Sequence, residues 1–166
     1  MYDDGDVLKP KSQKELTDEK RIKILFIDEM NSLQSQVAEH FLNEFYGNDY
    51  VAYSAGAKFD VIDCELISVM YQNGYDIRTS RAKDFRSKQM PLKFDHLVFM
   101  EKATYDRIAD IVPYEAPKSL KDFGSKGDLK ATDDVELYDA YTELINRVRN
   151  WVEETFADPE RFKERL

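Results

Sequence analysis

The stretch Lys23-Ile-Leu-Phe-Ile-Asp-Glu-Met-Asn-Ser-Leu-Gln-Ser-Gln-Val-Ala-Glu39 decides the fold. Its first part, from Ile22 to Ile27, is a run of β-branched and bulky apolar residues that reads as a buried strand. From Leu33 the period changes, and Leu33, Val37, Phe41, Leu42 and Phe45 recur at three- and four-residue spacing, one face of a helix. The turn between them, Asp28 to Ser32, sits at the carboxyl end of a strand and the amino end of a helix. In a parallel α/β sheet, free backbone N–H groups and the helix dipole converge at such a corner and favour a ligand. Function is to be sought there first.

Length and composition narrow the classes. The chain has 166 residues with 42% apolar content, enough for one compact core and too short for two. A net charge of -9, from 24 basic and 33 acidic residues, argues against nucleic acid or anionic membrane as a partner. No run approaches the roughly 20 apolar residues of a membrane span, and the N-terminus MYDDGDVLKP lacks the basic-then-apolar pattern of a signal peptide. A cytoplasmic location is expected. The lone Cys64 excludes an internal disulfide or a thiol relay within the chain, and core packing is its expected role.

Outward from the corner, residues 1–20 are polar without apolar period and are expected to form a flexible arm. Gly47-Asn48-Asp49 stops the first helix, and Tyr50 to Ser54 reads as a second strand ending in Ser54-Ala55-Gly56. Asp63 is placed to cap a helix through Leu66, Val69 and Met70 that Asn73-Gly74 closes. Phe94 to Met100 is a third strand, followed by a helix with Tyr105, Ile108 and Ile111 on its apolar face. Ser119-Leu120 ends a short fourth strand. A cap at Thr132-Asp133 opens a long helix to about Phe156. The domain spans 21–157, and 158–166 reads as a frayed tail. Strands alternating with helices give a parallel sheet with right-handed crossovers.

The corner ILFIDEMNSLQSQVAE resembles the phosphate-binding loop of the low-molecular-weight protein tyrosine phosphatases and the related thioredoxin-linked arsenate reductases. Their pattern is a strand followed by C-x5-R-[ST], often VCxGNxCRSxxAE. Asn31, Ser35, Ala38 and Glu39 match it, whereas Asp28 stands for the nucleophilic Cys, Gln34 for the phosphate-clamping Arg and Met30 for a Gly. Ser54-Ala55-Gly56 resembles the family's S-A-G-[TA], and Arg81, Ala82 and Lys83 match a later basic segment, with Ser80 where a His is common. Phe94 to Glu101 lies under x-D-x-[IV]-[LIV]-x-M-[DE]. Lys121-Asp122-Phe123-Gly124 lies where the family carries D-P-[FYW], which would make Asp122 the general-acid position, though the Pro is absent. The resemblance covers about Ile22 to Phe156. It implies a single α/β domain with a four-stranded parallel sheet in the order 2-1-3-4, flanked by helices.

The chemistry implied by the family is missing. Cysteine phosphatases attack phosphorus with a low-pKa thiolate inside a ring of N–H groups, while an Arg neutralises the equatorial oxygens and an Asp protonates the leaving group. Here the nucleophile and the Arg are gone, and Asp28 and Glu29 reverse the sign of the loop. Arsenate reduction would need resolving thiols as well. Three roles stay open for Asp28. It folds into its own loop's N–H groups as a built-in anion; or it joins Glu29 and Asp122 to hold Mg²⁺ for phosphoryl chemistry; or it receives an amine or guanidinium from a ligand or partner.

The expectation is a catalytically inactive, phosphatase-like binding or regulatory module, with metal-assisted phosphoryl transfer as the alternative. Asp28, Glu29, Met30, Asn31, Ser32, Leu33, Gln34, Ser35 and Ser54 are the candidate ligand-binding residues. No cofactor is expected outside the Mg²⁺ alternative. The partner is expected to be a protein or small ligand at the acidic loop, with the chain a monomer or weak homodimer. His40 and His96 are expected to be packing or surface residues, since neither has a metal-type partner at usable spacing. Tyr114, Phe123 and Tyr138 are candidates for the aromatic walls that line the family's cleft, and Arg78, Arg81, Lys83 and Arg86 form a basic stretch on a solvated face.

Overall fold

The computed structural model describes residues 20–166, so nearly all of the proposed N-terminal arm lies outside the described residues. Strands β1 (Ile22–Asp28), β2 (Tyr50–Gly56), β3 (His96–Phe99) and β4 (Lys118–Leu120) form a parallel sheet in the order β2-β1-β3-β4. The register runs from Ile22 opposite Tyr50 to Asp28 opposite Gly56, and Ile24 pairs with His96 on the other side. A strand central in a parallel sheet is covered on both faces, which is why Ile24 to Ile27 could be apolar without alternation and are fully buried.

Among the described residues, the α-helices that flank the sheet are α1 (Gln34–Tyr46), α2 (Cys64–Gln72), α3 (Lys102–Ile108), α4 (Asp134–Thr155) and α5 (Phe162–Arg165). The pleat sends Ile24 and Phe26 into one core with Val37 and Phe41 of α1, Leu66 and Met70 of α2, and Val148 and Val152 of α4. It sends Leu25 and Ile27 into a second core with Phe94, Phe99, Ile108 and Tyr114. Each fully buried Leu, Ile or Phe contributes about 1.5–3 kcal/mol, and β1 supplies both cores.

The expected boundaries mostly coincide with these elements. Asp63 caps α2 by accepting the Glu65 N–H at 2.9 Å, and Gly74 takes a positive φ of 91° just past its end. Asp133 rather than Thr132 caps α4, accepting the Glu136 N–H at 2.8 Å. Two expectations need correction. Helix α3 stops at Ile108, leaving Ile111 beyond it and 75% exposed. The tail is not frayed: Phe162 is buried, stacks on Phe156 at 5.8 Å and meets Tyr50 edge-on at 5.7 Å. A single aromatic among charged residues shows no period, so its anchoring was invisible in the sequence.

Candidate functional site

The corner after β1 folds as a loop wound around its own aspartate. Leu33 occupies the N-cap of α1 without a side-chain cap bond, so the helix start needs another acceptor. Asp28 supplies it, its Oδ2 accepting the Ser35 N–H at 2.9 Å. Burial pushes the Asp28 carboxyl up, while the Ser35 N–H and hydroxyl and the N–H groups of Asn31 and Leu33 pull it back; burial wins. Asp28 is 2% exposed, and its Oδ1 accepts no hydrogen bond.

The loop's turn falls on Asn31, the one non-glycine residue with positive φ (54°) among the described residues. Asn tolerates that conformation, so Met30 in place of a Gly brings no such strain. Asn31 Nδ2 donates to Ser35 Oγ at 2.9 Å, and its Oδ1 accepts from Gln36 Nε2 at 2.9 Å and Lys83 N at 2.8 Å. Gly56 lies so close beneath that a Cβ would stand 2.7 Å from Asn31 N and 2.8 Å from Glu29 O. Only a glycine fits there.

Gln34 does not face the loop's centre. Its Nε2 donates to the carbonyl of Gly124, tying the loop to the segment after β4. Glu29 is likewise engaged, its carboxylate held by Arg107 and by the Thr104 hydroxyl at 3.2 Å. Asp122 accepts the N–H of Gly124 at 2.9 Å and of Lys102 at 3.3 Å. Asp122 is not among the residues that line the cleft beside the loop, whereas Asp28 and Glu29 are. Among the described residues, no three His, Cys, Asp or Glu side chains are grouped to hold a metal ion.

A cleft of about 600 Å³ opens beside the loop, bounded by 28–34, by 60–65 and by 125–127. Asp28, Glu29, Met30, Ser32, Leu33 and Gln34 line it. Asn31 and Ser35 are buried behind it and hold its shape. Ser54 is not part of it; its hydroxyl donates to Glu39 at 3.1 Å, whose carboxyl burial pushes up and nearby Lys83 restrains. Nor do the suspected aromatics form its walls. Tyr114 is buried in the second core, Phe123 packs on Trp151 at 5.5 Å, and Tyr138 lines a separate groove with Glu65. Cys64, expected in the core, is exposed on the cleft wall, because α2 turns Leu66, Val69 and Met70 inward.

Sequence reasoning passed over Glu101, which lines the cleft directly after β3. It is 7% exposed; Oε1 accepts the Glu29 N–H at 2.6 Å and the Thr104 hydroxyl at 3.4 Å. Burial, together with the charges of Asp28 and Glu29, raises its carboxyl to about 7. The order 2-1-3-4 was the available signal, since it sets the carboxyl end of β3 beside that of β1. Across the cleft, Asp63 accepts the Tyr141 hydroxyl at 2.7 Å and faces Lys126 Nζ at 3.2 Å. The histidines pack as expected: His96, buried in β3, meets Ser119 Oγ at 2.6 Å, burial lowering it to about 4, and His40 lies edge-on to Phe41 and Tyr75. The basic stretch is paired locally, Arg78 with Asp76 and Arg86 with Asp84.

Several solved structures share this architecture. The low molecular weight protein tyrosine phosphatase from T. tengcongensis superposes with a TM-score of 0.61 at 22% identity, covering 80% of this chain and 96% of that one. Vibrio vulnificus Wzb, solved with benzylphosphonate, gives 0.55 at 23% identity, with coverages of 80% and 98%. The Corynebacterium glutamicum thioredoxin-dependent arsenate reductase gives 0.55 at 17% identity, with coverages of 88% and 70%. At such identities the likeness speaks to the fold. No curated protein matches the chain. Residues 23–158 match the family model described as low molecular weight phosphotyrosine protein phosphatase, and with that match over most of its length the chain belongs to this family.

Proposed function

We propose that this chain is a member of the phosphatase family without cysteine-dependent catalysis, and that it works as a binding or regulatory module through the acidic cleft. The observation that carries this is Asp28 Oδ2 on the Ser35 N–H, a carboxylate occupying its own loop where the family's motif places a thiolate. Gln34 adds support, because it is bound to Gly124 and carries no charge for a phosphoryl group. Cysteine phosphatase chemistry needs a thiolate nucleophile and a cationic anion clamp, and Asp28 and Gln34 stand at those two motif positions. The metal-assisted alternative, through Asp28 and Glu29 with Asp122 helping, has less support: Arg107 engages Glu29, and among the described residues no three His, Cys, Asp or Glu side chains are grouped to hold a metal ion.

The test is hydrolysis of an aryl phosphate by the wild type and Asp28→Ala, with and without Mg²⁺. Both proteins are expected to be equally inactive, and vanadate is expected to give the wild type no thermal stabilisation. Robust metal-free hydrolysis that disappears in Asp28→Ala would overturn the proposal. Turnover dependent on both Mg²⁺ and Asp28 would replace it with metal-assisted phosphoryl chemistry.

A further inference from the structure

We infer that the cleft beside Asp28 is a receptor for an alkylammonium group, of the kind a lysine side chain carries, with Asp28 Oδ1 and Glu101 as its acceptors. This rests on the reading that the loop no longer handles phosphate, and it names the ligand class for the same cleft.

Charge gives the sign of the ligand. Asp28, Glu29, Asp60, Asp63, Glu65 and Glu101 line the cleft, against Lys126 as its basic residue. Arg107 balances Glu29 and Lys126 balances Asp63, which leaves four carboxyl groups without a cation among their described contacts. An oxyanion would be repelled there and a cation drawn in.

An independent observation concerns Asp28 itself. It is only 2% exposed, it lines the cleft, and Oδ1 accepts no hydrogen bond. Buried acceptors are nearly always satisfied, so an orphaned carboxylate oxygen on a residue that lines a cleft marks the place for a donor brought by a ligand. Glu101 uses Oε1 for the Glu29 N–H and the Thr104 hydroxyl, which leaves Oε2 as a second acceptor.

Geometry selects an ammonium over a guanidinium. A guanidinium binds a carboxylate best as a fork on two oxygens, but Asp28 Oδ2 is already engaged by Ser35 N. One free oxygen each from Asp28 and Glu101 suits a compact, three-donor –NH₃⁺. Met30, Leu33, Val61 and Ile62 add apolar lining against which an alkyl stem would lie.

The experiment is a calorimetric and thermal-shift titration of the whole chain with n-butylammonium, Nα-acetyl-lysine methylamide, its arginine counterpart and its neutral norleucine counterpart. The lysine analogue is expected to bind and to raise the melting temperature, with the arginine analogue weaker and the norleucine analogue silent. Asp28→Asn should weaken binding about tenfold or more, since its amide would keep an acceptor for Ser35 and turn a donor toward the ligand. Asp110→Asn, on the exposed end beyond α3, controls for net charge and should bind like wild type. If Asp28→Asn does not fold, Glu101→Gln makes the same comparison, again with weaker binding expected.

A lysine-centred pentapeptide binding far more tightly than butylammonium would identify a polypeptide source; equal binding would identify a small amine. Both results support an alkylammonium site. Unchanged affinity in Asp28→Asn and Glu101→Gln, preference for arginine, or no amine binding at all overturns the inference. Absence of both amine binding and aryl phosphate hydrolysis would overturn it alone, leaving the loss of cysteine chemistry intact. Aryl phosphate hydrolysis by Asp28 would bring down that underlying reading whatever the amine result.

Discussion

At the scale of single residues, Asp28 and Glu101 place two carboxyl groups beside a loop whose family relatives are named for phosphate chemistry. Both are raised by burial, Glu101 to about 7 from its ordinary 4.5. The folded chain therefore holds a proton at Glu101 that the unfolded chain gives up above pH 4.5. Stability from this group is present at acid pH and falls as pH rises through about 7, by about 3 kcal/mol in full. Asp28 and Glu29 face Glu101 from the loop, and Thr104 from α3. His40 and His96, both lowered, act in the opposite sense, gaining stability as pH rises. Urea unfolding of wild type and Glu101→Gln at pH 5, 6, 7 and 8 separates these effects. The variant is expected to gain on wild type from pH 5 to about 7 and to level off by pH 8, and a constant difference would place the Glu101 carboxyl in its ordinary range.

At the scale of elements, two contacts fix the loop. Gly56 backs onto it from β2, and Gly56→Ala would force a methyl into the backbone of Asn31 and Glu29. A cost of about 1–3 kcal/mol is expected in chemical denaturation, as for other overpacked positions. Gln34 reaches across 90 residues to Gly124 and ties the loop to the segment before α4. Gln34→Ala should cost about 1 kcal/mol and, more tellingly, speed hydrogen exchange in residues 121–130 while leaving β1 protected. These contacts explain what could be read in advance and what could not. The strand, the corner and the start of α1 were legible because a change of apolar period marks them locally. The cap at Asp63 and the stop at Gly74 follow from residue type. The Gln34–Gly124 contact, the Arg107–Glu29 pair and the outward turn of Cys64 depend on packing between distant segments, for which no local pattern exists.

At the scale of the molecule, the sheet order sets β1 between β2 and β3 and so gathers Asp28, Gly56 and Glu101 at one edge. The resemblance implied that order, and with it the neighbourhood of Glu101. The tail was different, since a decapeptide rich in charge hides one anchoring ring. Phe162 closes the core over Tyr50, Phe156 and His96. Phe162→Ala is expected to lower stability by about 3 kcal/mol, visible as a drop in melting temperature. A melting temperature matching that of wild type would mean that the tail is dispensable.

The aspartate inside the loop also changes how the fold answers its surroundings. A loop shaped by a dissociable anion is subject to mass action, and its order rises and falls with the concentration of that anion. Here the anion is covalently part of the chain, so its encounter with the Ser35 N–H is unimolecular and independent of dilution. Orthophosphate at any physiological level competes against a tethered rival. The corner is therefore expected to keep one shape in phosphate-rich and phosphate-poor media alike.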